Sequence, residues 1–187
     1  MALIDLSPPA VEPVDLAYAK TFLRVDTPDE DTLITDMIST ARAQVENIIG
    51  RTLIKRGFLY RGDTPSSTCV SLPRPPLISV TRLSLISEQG MITDILPENY
   101  IVNTRNEPGE IQLVAGTHWS DHQTQNIGIE IEFFAGYGET ATDIPLPIKQ
   151  AILLLLAQNF EHRDAVDKPT LPLMVDALLM PYREVRL

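Results

Sequence analysis

The stretch that decides the fold is IEFFAGYGETATDIPLPIKQAILLLL, residues 129–154. It runs as a strand, a pair of glycines and a helix. Gly136, Gly138 and Ala141 satisfy the G-x-G-x-x-A spacing of a dinucleotide-binding turn. Taken alone, that spacing would make the chain a parallel α/β domain with a phosphate cradle. Four features of the stretch and its surroundings exclude this. A dinucleotide turn opens directly into its helix, whereas ETATDIPLP intervenes here. Glu139 and Asp143 in that loop would repel a pyrophosphate. The strand alternates Ile129, Ile131 and Phe133 with Glu130 and Glu132, the pattern of a half-exposed strand rather than a buried parallel one. The residues that follow supply no second strand with an acidic ribose ligand. The glycines are therefore expected to provide positive φ where the strand ends and the chain turns a corner.

Outward from that corner, the hydrophobic period changes twice. Residues 1–13 are proline-rich and form an extended lead-in. Asp15 is placed to cap a short helix with Leu16, Ala19 and Leu23 on one face. A stronger helix follows: TPDE (27–30) has the form of a capping box, with Thr27 as N-cap and Pro28 at the first helical position. Apolar residues then recur at Ile34, Met37, Ile38, Ala41, Val45, Ile48 and Ile49, and Gly50 stands at the C-cap. From Thr52 the period is two. TLIKRGFLYR (52–61), CVSLP (69–73), ISVTRLSLI (78–86), NYIVN (99–103), GEIQLV (109–114) and IGIEIEFF (127–134) read as short strands separated by turns, which points to antiparallel pairing. The helical period returns at 145–164, apolar on nearly every side between Ala151 and Ala157 and so buried all round. A last short helix in LPLMVDALLMPYREVRL (171–187) is interrupted by Pro181.

These periods predict an α+β fold. N- and C-terminal helices form a helical bundle (residues 1–51 with 145–187), and a central antiparallel β-rich insertion occupies 52–144. The chain has 187 residues, 44% hydrophobic and 21% charged, with a net charge of −10. That charge argues against a phosphate-binding outer surface, because nucleic-acid binders gain affinity from clustered Lys and Arg. One cysteine, Cys69, permits no internal disulfide. No secretory leader or membrane-spanning run is legible, and a soluble protein is expected.

The remaining chemistry-bearing residues are few. His118, Asp121 and His122 lie together in THWSDHQ, the one place where a small metal-dependent hydrolase would find ligands. The loop offers no Cys and no second ligand pair at a recognised spacing, so surface histidines are expected and no metal is assigned. Glu161 and His162 are adjacent on a helix and point apart. No G-x-S-x-G elbow is present. Cys69 is expected to point into the core as a small strand residue. The clusters DTPDED (26–31) and ETATD (139–143) read as a capped helix start and a solvated loop. No catalytic residue and no cofactor site is assigned.

Several segments, in order, resemble the phage head–tail connector (adaptor) family, a group also described as phage DNA-packaging proteins and found in prophages and gene transfer agents. They are VDLAYAKTFLRVD with DEDTLITDMISTARAQVENIIGRTLI, then LPRPPLISV, HWS, FFAGYGETATDIPLPIKQAILLLLA and LPLMVDALLMPYR, from about Val14 to Arg186. The resemblance implies a structural subunit rather than an enzyme. It would form a homo-oligomeric ring, twelve subunits in most members, under the portal protein at the head–tail junction. Such a ring extends the DNA tunnel and meets the next connector, stopper or tail component. DNA would pass without specific binding, no membrane would be involved, and a negative surface suits such passage as well as it suits solubility. Within this frame the segment after Pro181, carrying Tyr182, Arg183, Val185, Arg186 and Leu187, is the expected portal-docking element, since Tyr and Arg are enriched at binding hot spots. A cellular adaptor unrelated to phage is the other non-enzymatic reading.

Overall fold

The 3.6-residue period of the N-terminal third becomes helix α2 (Asp31–Ile49), preceded by α1 (Leu16–Leu23), in a computed structural model that describes residues 1–122, 126–162 and 171–183. Asp15 caps α1: its carboxylate accepts the amide of Tyr18 at 2.7 Å. Residues 28–30 do not form the expected capping box. They make a 3-10 turn ahead of α2, and the Thr27 side chain makes no cap bond. Lys20 of α1 instead reaches the carbonyl of Thr27 at 2.9 Å and pairs with Asp31. Gly50 ends α2 in the left-handed region, at φ 74°.

Two further helices complete this helical unit, which comprises Ala10–Ile54 and Tyr137–Leu187. They are a long one, Leu146–Glu161, and a short one, Leu173–Leu179. With the four-residue helix Trp119–His122 of the other unit as α3, these are α4 and α5. Helix α4 buries Ile148, Ala151, Ile152, Leu153, Leu155 and Leu156, as its all-round apolar sequence requires. Its partners in the core are Ile34, Ile38, Ala41, Val45 and Ile49 of α2, Ala19 of α1, and Val175 and Leu179 of α5.

The period-two residues build a separate sheet unit, Met1–Pro9 with Lys55–Gly136. Its strands are β1 (Ala2–Asp5), β2 (Arg56–Asp63), β3 (Cys69–Ser71), β4 (Leu77–Ser87), β5 (Ile92–Asp94), β6 (Tyr100–Asn103), β7 (Glu110–Leu113) and β8 (Asn126–Ala135). They form a five-stranded antiparallel sheet of order β1-β2-β8-β4-β5 and a three-stranded sheet of order β3-β7-β6. One apolar cluster draws on both: Phe58, Leu83, Leu85, Ile129, Ile131 and Phe133 from the larger, Val70, Ile111, Leu113 and Tyr100 from the smaller. Phe58 and Phe133 stack with centroids 5.4 Å apart. Trp119 is buried here too, its indole donating to the carbonyl of Ser67 at 2.7 Å.

Three local expectations are corrected. Residues 2–5 are not lead-in but strand β1, paired along Ala2–Asp5 with Arg61–Phe58 of β2. Val70, not Cys69, enters the core from β3; Cys69 lies half-buried on the other side of the alternating strand. The strand carrying Glu130 and Glu132 is the centre of the larger sheet, and its polar side is partly covered, with Glu130 buried against Arg61 of β2.

The corner at Gly136 also differs in detail from the expectation. Gly136 does take positive φ, 139°, and its amide donates to Pro76 in the sheet unit. The next amide, of Tyr137, donates to Leu53 in the helical unit. Gly138 serves another purpose: a Cβ there would lie 2.2 Å from the carboxylate of Asp143. The ETATD segment is not a free loop but a capping box on a 3-10 turn (Ala141–Asp143). Asp143 accepts the amide and the hydroxyl of Thr140, each at 2.9 Å. These bonds, and more weakly Lys149, hold its pKa below the usual aspartate value. The only residue that lets the carboxylate fold back so closely is glycine. Gly138 is thus there for close approach, and no phosphate cradle is formed.

Candidate docking site

The sequence-predicted docking residues begin at the end of α5. That helix stops at Leu179 and passes into a 3-10 turn, Met180–Tyr182, with Pro181 inside it; the backbone at Arg183 is extended. Tyr182 is half-buried and packs against the helical core. Its carbonyl belongs to the last residue of that 3-10 turn, and carbonyls at a helix end lack an intrahelical donor. Arg51, two residues after the end of α2, fills that place: its Nε donates to Tyr182 O at 2.6 Å. Arg183 is exposed and pairs with Asp176 of α5 at 2.6 Å. Val185, Arg186 and Leu187 lie outside the described residues.

The outward side of α5 is apolar. Leu173 is 88% exposed, Met174 63% and Met180 68%, with Ala177 also exposed between them. These positions recur at helical spacing, while Val175 and Leu179 face the core. The element leading to Tyr182 therefore carries apolar side chains on both faces. One face has its partner within the chain.

A second polar feature crosses the larger sheet. Arg61 on β2 pairs with Glu130 on β8; Asp94 on β5 accepts from Ser84 of β4 at 2.7 Å and from Arg82 at 2.9 Å; Arg82 also approaches Glu132 at 3.7 Å. The hydroxyl of Ser84 and then the Arg82 guanidinium hold Asp94 below the usual aspartate pKa. Charges of both signs alternate across four strands, so this surface is balanced rather than a patch of one sign. Single-strand patterning gives no sign of it, because each residue's partner sits on another strand.

The remaining candidates do not converge into chemistry. His118 is exposed, and its amide is accepted by Asp121 at 2.6 Å, so that carboxylate caps α3. Among the described residues, no three His, Cys, Asp or Glu side chains come together as a metal site. Burial, and more weakly Glu110, raises the pKa of the Cys69 thiol, which disfavours the thiolate a nucleophile needs. A cleft of about 340 Å³ in the helical unit is lined by Gln44, Asn47, Ile48, Leu155, Gln158, Asn159 and Leu171, none of them an acid or base. Among the described residues, no helix is long and apolar enough to cross a membrane.

Residues 13–95 match the family model described as phage gp6-like head-tail connector protein. No curated protein matches the chain. Three solved structures are similar along its whole length. A chain in a native gene transfer agent (GTA) virion has 25% identity and a TM-score of 0.82. A chain in the neck of an empty GTA particle, computed with C6 symmetry, has 24% and 0.79. One in the neck of a native GTA particle, computed with C12 symmetry, has 24% and 0.77. Each likeness covers 100% of this chain and 97% of the other. The two at 24% identity establish the fold. The α+β reading and the connector resemblance in the sequence are both borne out by these findings.

Proposed function

We propose that the chain is a structural head–tail connector subunit of a tailed phage or phage-like particle. It sits at the head–tail junction as one member of a ring and extends the DNA passage from the head. The observation that carries this is the likeness along the full chain to a component of a GTA virion, joined to the connector-family match at the N-terminal side. Necks computed with six- and twelvefold symmetry support a ring-forming subunit. Ring closure uses two different patches on each subunit, so one copy's surface need not complement itself.

The ring's neighbours in this reading are the portal protein above and a further connector, stopper or tail component below. Tyr182 and Arg183, with Val185, Arg186 and Leu187 beyond them, are the portal-docking residues. Two features of the helical unit support this. The segment emerges from a helix whose outward side is apolar and unpartnered among the described residues, and Tyr and Arg are frequent anchors at interfaces. The net charge of −10 keeps a DNA conduit from binding phosphates. The role needs no catalysis.

The test is to delete residues 181–187 and measure co-sedimentation with portal-bearing capsids that lack this protein. Loss of binding is expected. Undiminished binding would remove the docking role from this segment.

A further inference from the structure

We propose that Arg51 is a positioning residue for docking: by holding the carbonyl of Tyr182 it fixes where the turn at Met180–Tyr182 sits and in which direction the backbone runs at Arg183. This rests on the docking role given to that segment above.

The argument is geometric. Arg51 and Tyr182 are 131 residues apart in the chain, yet Nε donates to the carbonyl at 2.6 Å. Arg51 is itself held close to a rigid point, next to the left-handed cap at Gly50 that ends α2. The bond engages a carbonyl past the end of α5, where a helix has no donor of its own to offer. Its donor is a charged guanidinium, which makes it stronger than a neutral bond, and the planar fork sets a direction that an ammonium would not. A second tie, Arg183 to Asp176 at 2.6 Å, holds the residue after the turn to the α5 side chain. Tyr182 between them packs on the core. Together these ties fix the 3-10 turn at Met180–Tyr182 in place, with the backbone extended at Arg183. A segment ordered before it binds loses less freedom on binding, and that difference appears as affinity.

The experiment compares full-length protein, Arg51→Ala, Arg51→Lys and the 181–187 deletion for binding to portal-bearing capsids. Hydrogen exchange is read on the same proteins. Arg51→Ala is expected to bind about 5- to 20-fold more weakly, with Arg51→Lys recovering part of the loss. Exchange at Tyr182 and Arg183 should rise in Arg51→Ala while the amides of α2 and α4 keep their protection. If the deletion abolishes binding but Arg51→Ala binds like the parent, the positioning role is overturned and the docking reading stands. If the deletion leaves binding intact, both fall. A rise in exchange throughout α2 and α4 in both Arg51 variants would make Arg51 a stability residue and overturn the positioning role.

Discussion

Removing the Glu46 carboxylate is the perturbation with the largest effect expected on the helical unit. Glu46 lies inside that unit, 2% exposed, and Arg42 one turn earlier is 9% exposed. One carboxylate oxygen takes Arg42 Nη1 at 2.9 Å; the other takes the amide of Leu53 at 2.9 Å, holding the chain just after α2. Arg42 Nε also reaches Glu12 at 2.8 Å, which pins the lead-in to the helix. In Glu46→Ala the buried guanidinium keeps only the part-exposed Glu12 among these two carboxylates. Breaking one side of a buried pair costs about 3–5 kcal/mol. The Leu53 amide, now buried without this acceptor, accounts for about 1–3 kcal/mol of such a loss. Glu46→Gln keeps an acceptor for Leu53 and should cost less than Glu46→Ala. Replacing both partners by leucine should recover much of the loss, because no charge is then left buried.

The assay is urea unfolding followed by circular dichroism at 222 nm, which reports chiefly on the helical unit. Trp119, the single tryptophan, reports separately on the sheet unit. With a slope of about 2 kcal/mol/M, the Glu46→Ala midpoint should fall by roughly 1.5–2.5 M. A fall of less than about 0.5 M, near 1 kcal/mol at that slope, would refute the reasoning, as would a double leucine variant less stable than either single one.

Three more outcomes follow from the same geometry. Gly138→Ala places a methyl against the Asp143 carboxylate and must open the capping box, lowering the melting midpoint by about 2–6 °C; the same change made in an Asp143→Gly background should cost much less. Phe133→Ala, in the central strand and stacked on Phe58, should destabilise the sheet unit by about 3–5 kcal/mol, read from Trp119 fluorescence in urea. The pKa values of Asp94 and Asp143 are both lowered by their hydrogen bonds, so their contribution to stability is present above the unfolded aspartate pKa and is lost as pH falls through the folded values; melting between pH 7 and 2.5 should show that loss below about pH 4, and Asp94→Asn should reduce it.

Much of the fold was legible because period and caps act locally. The face of α2 at Ile34, Ile38, Ala41, Val45 and Ile49 is the buried one, and the all-round apolar run at 151–157 is the centre of the helical core. What was not legible depends on partners far along the chain. Arg42 and Glu46 look like surface charges until Glu12 and Leu53 are brought to them. β1 has no alternation to announce it and is a strand because β2 offers an edge. The two capping motifs show the limit from the other side. TPDE satisfies the pattern and forms only a 3-10 turn, with Asp31 drawn to Lys20, whereas ETATD looked like a solvated loop and closes a true box against Gly138. At the docking site, Pro181 signalled where the last helix would end. Arg51 gave no signal, since its bond spans 131 residues.

Cryo-electron microscopy of assembled particles that carry this protein tests the connector role most directly. A ring of this chain at the single vertex where head meets tail, seated under the portal and open along its axis, is the predicted result. Intact particles whose neck contains no copy of the chain would contradict it.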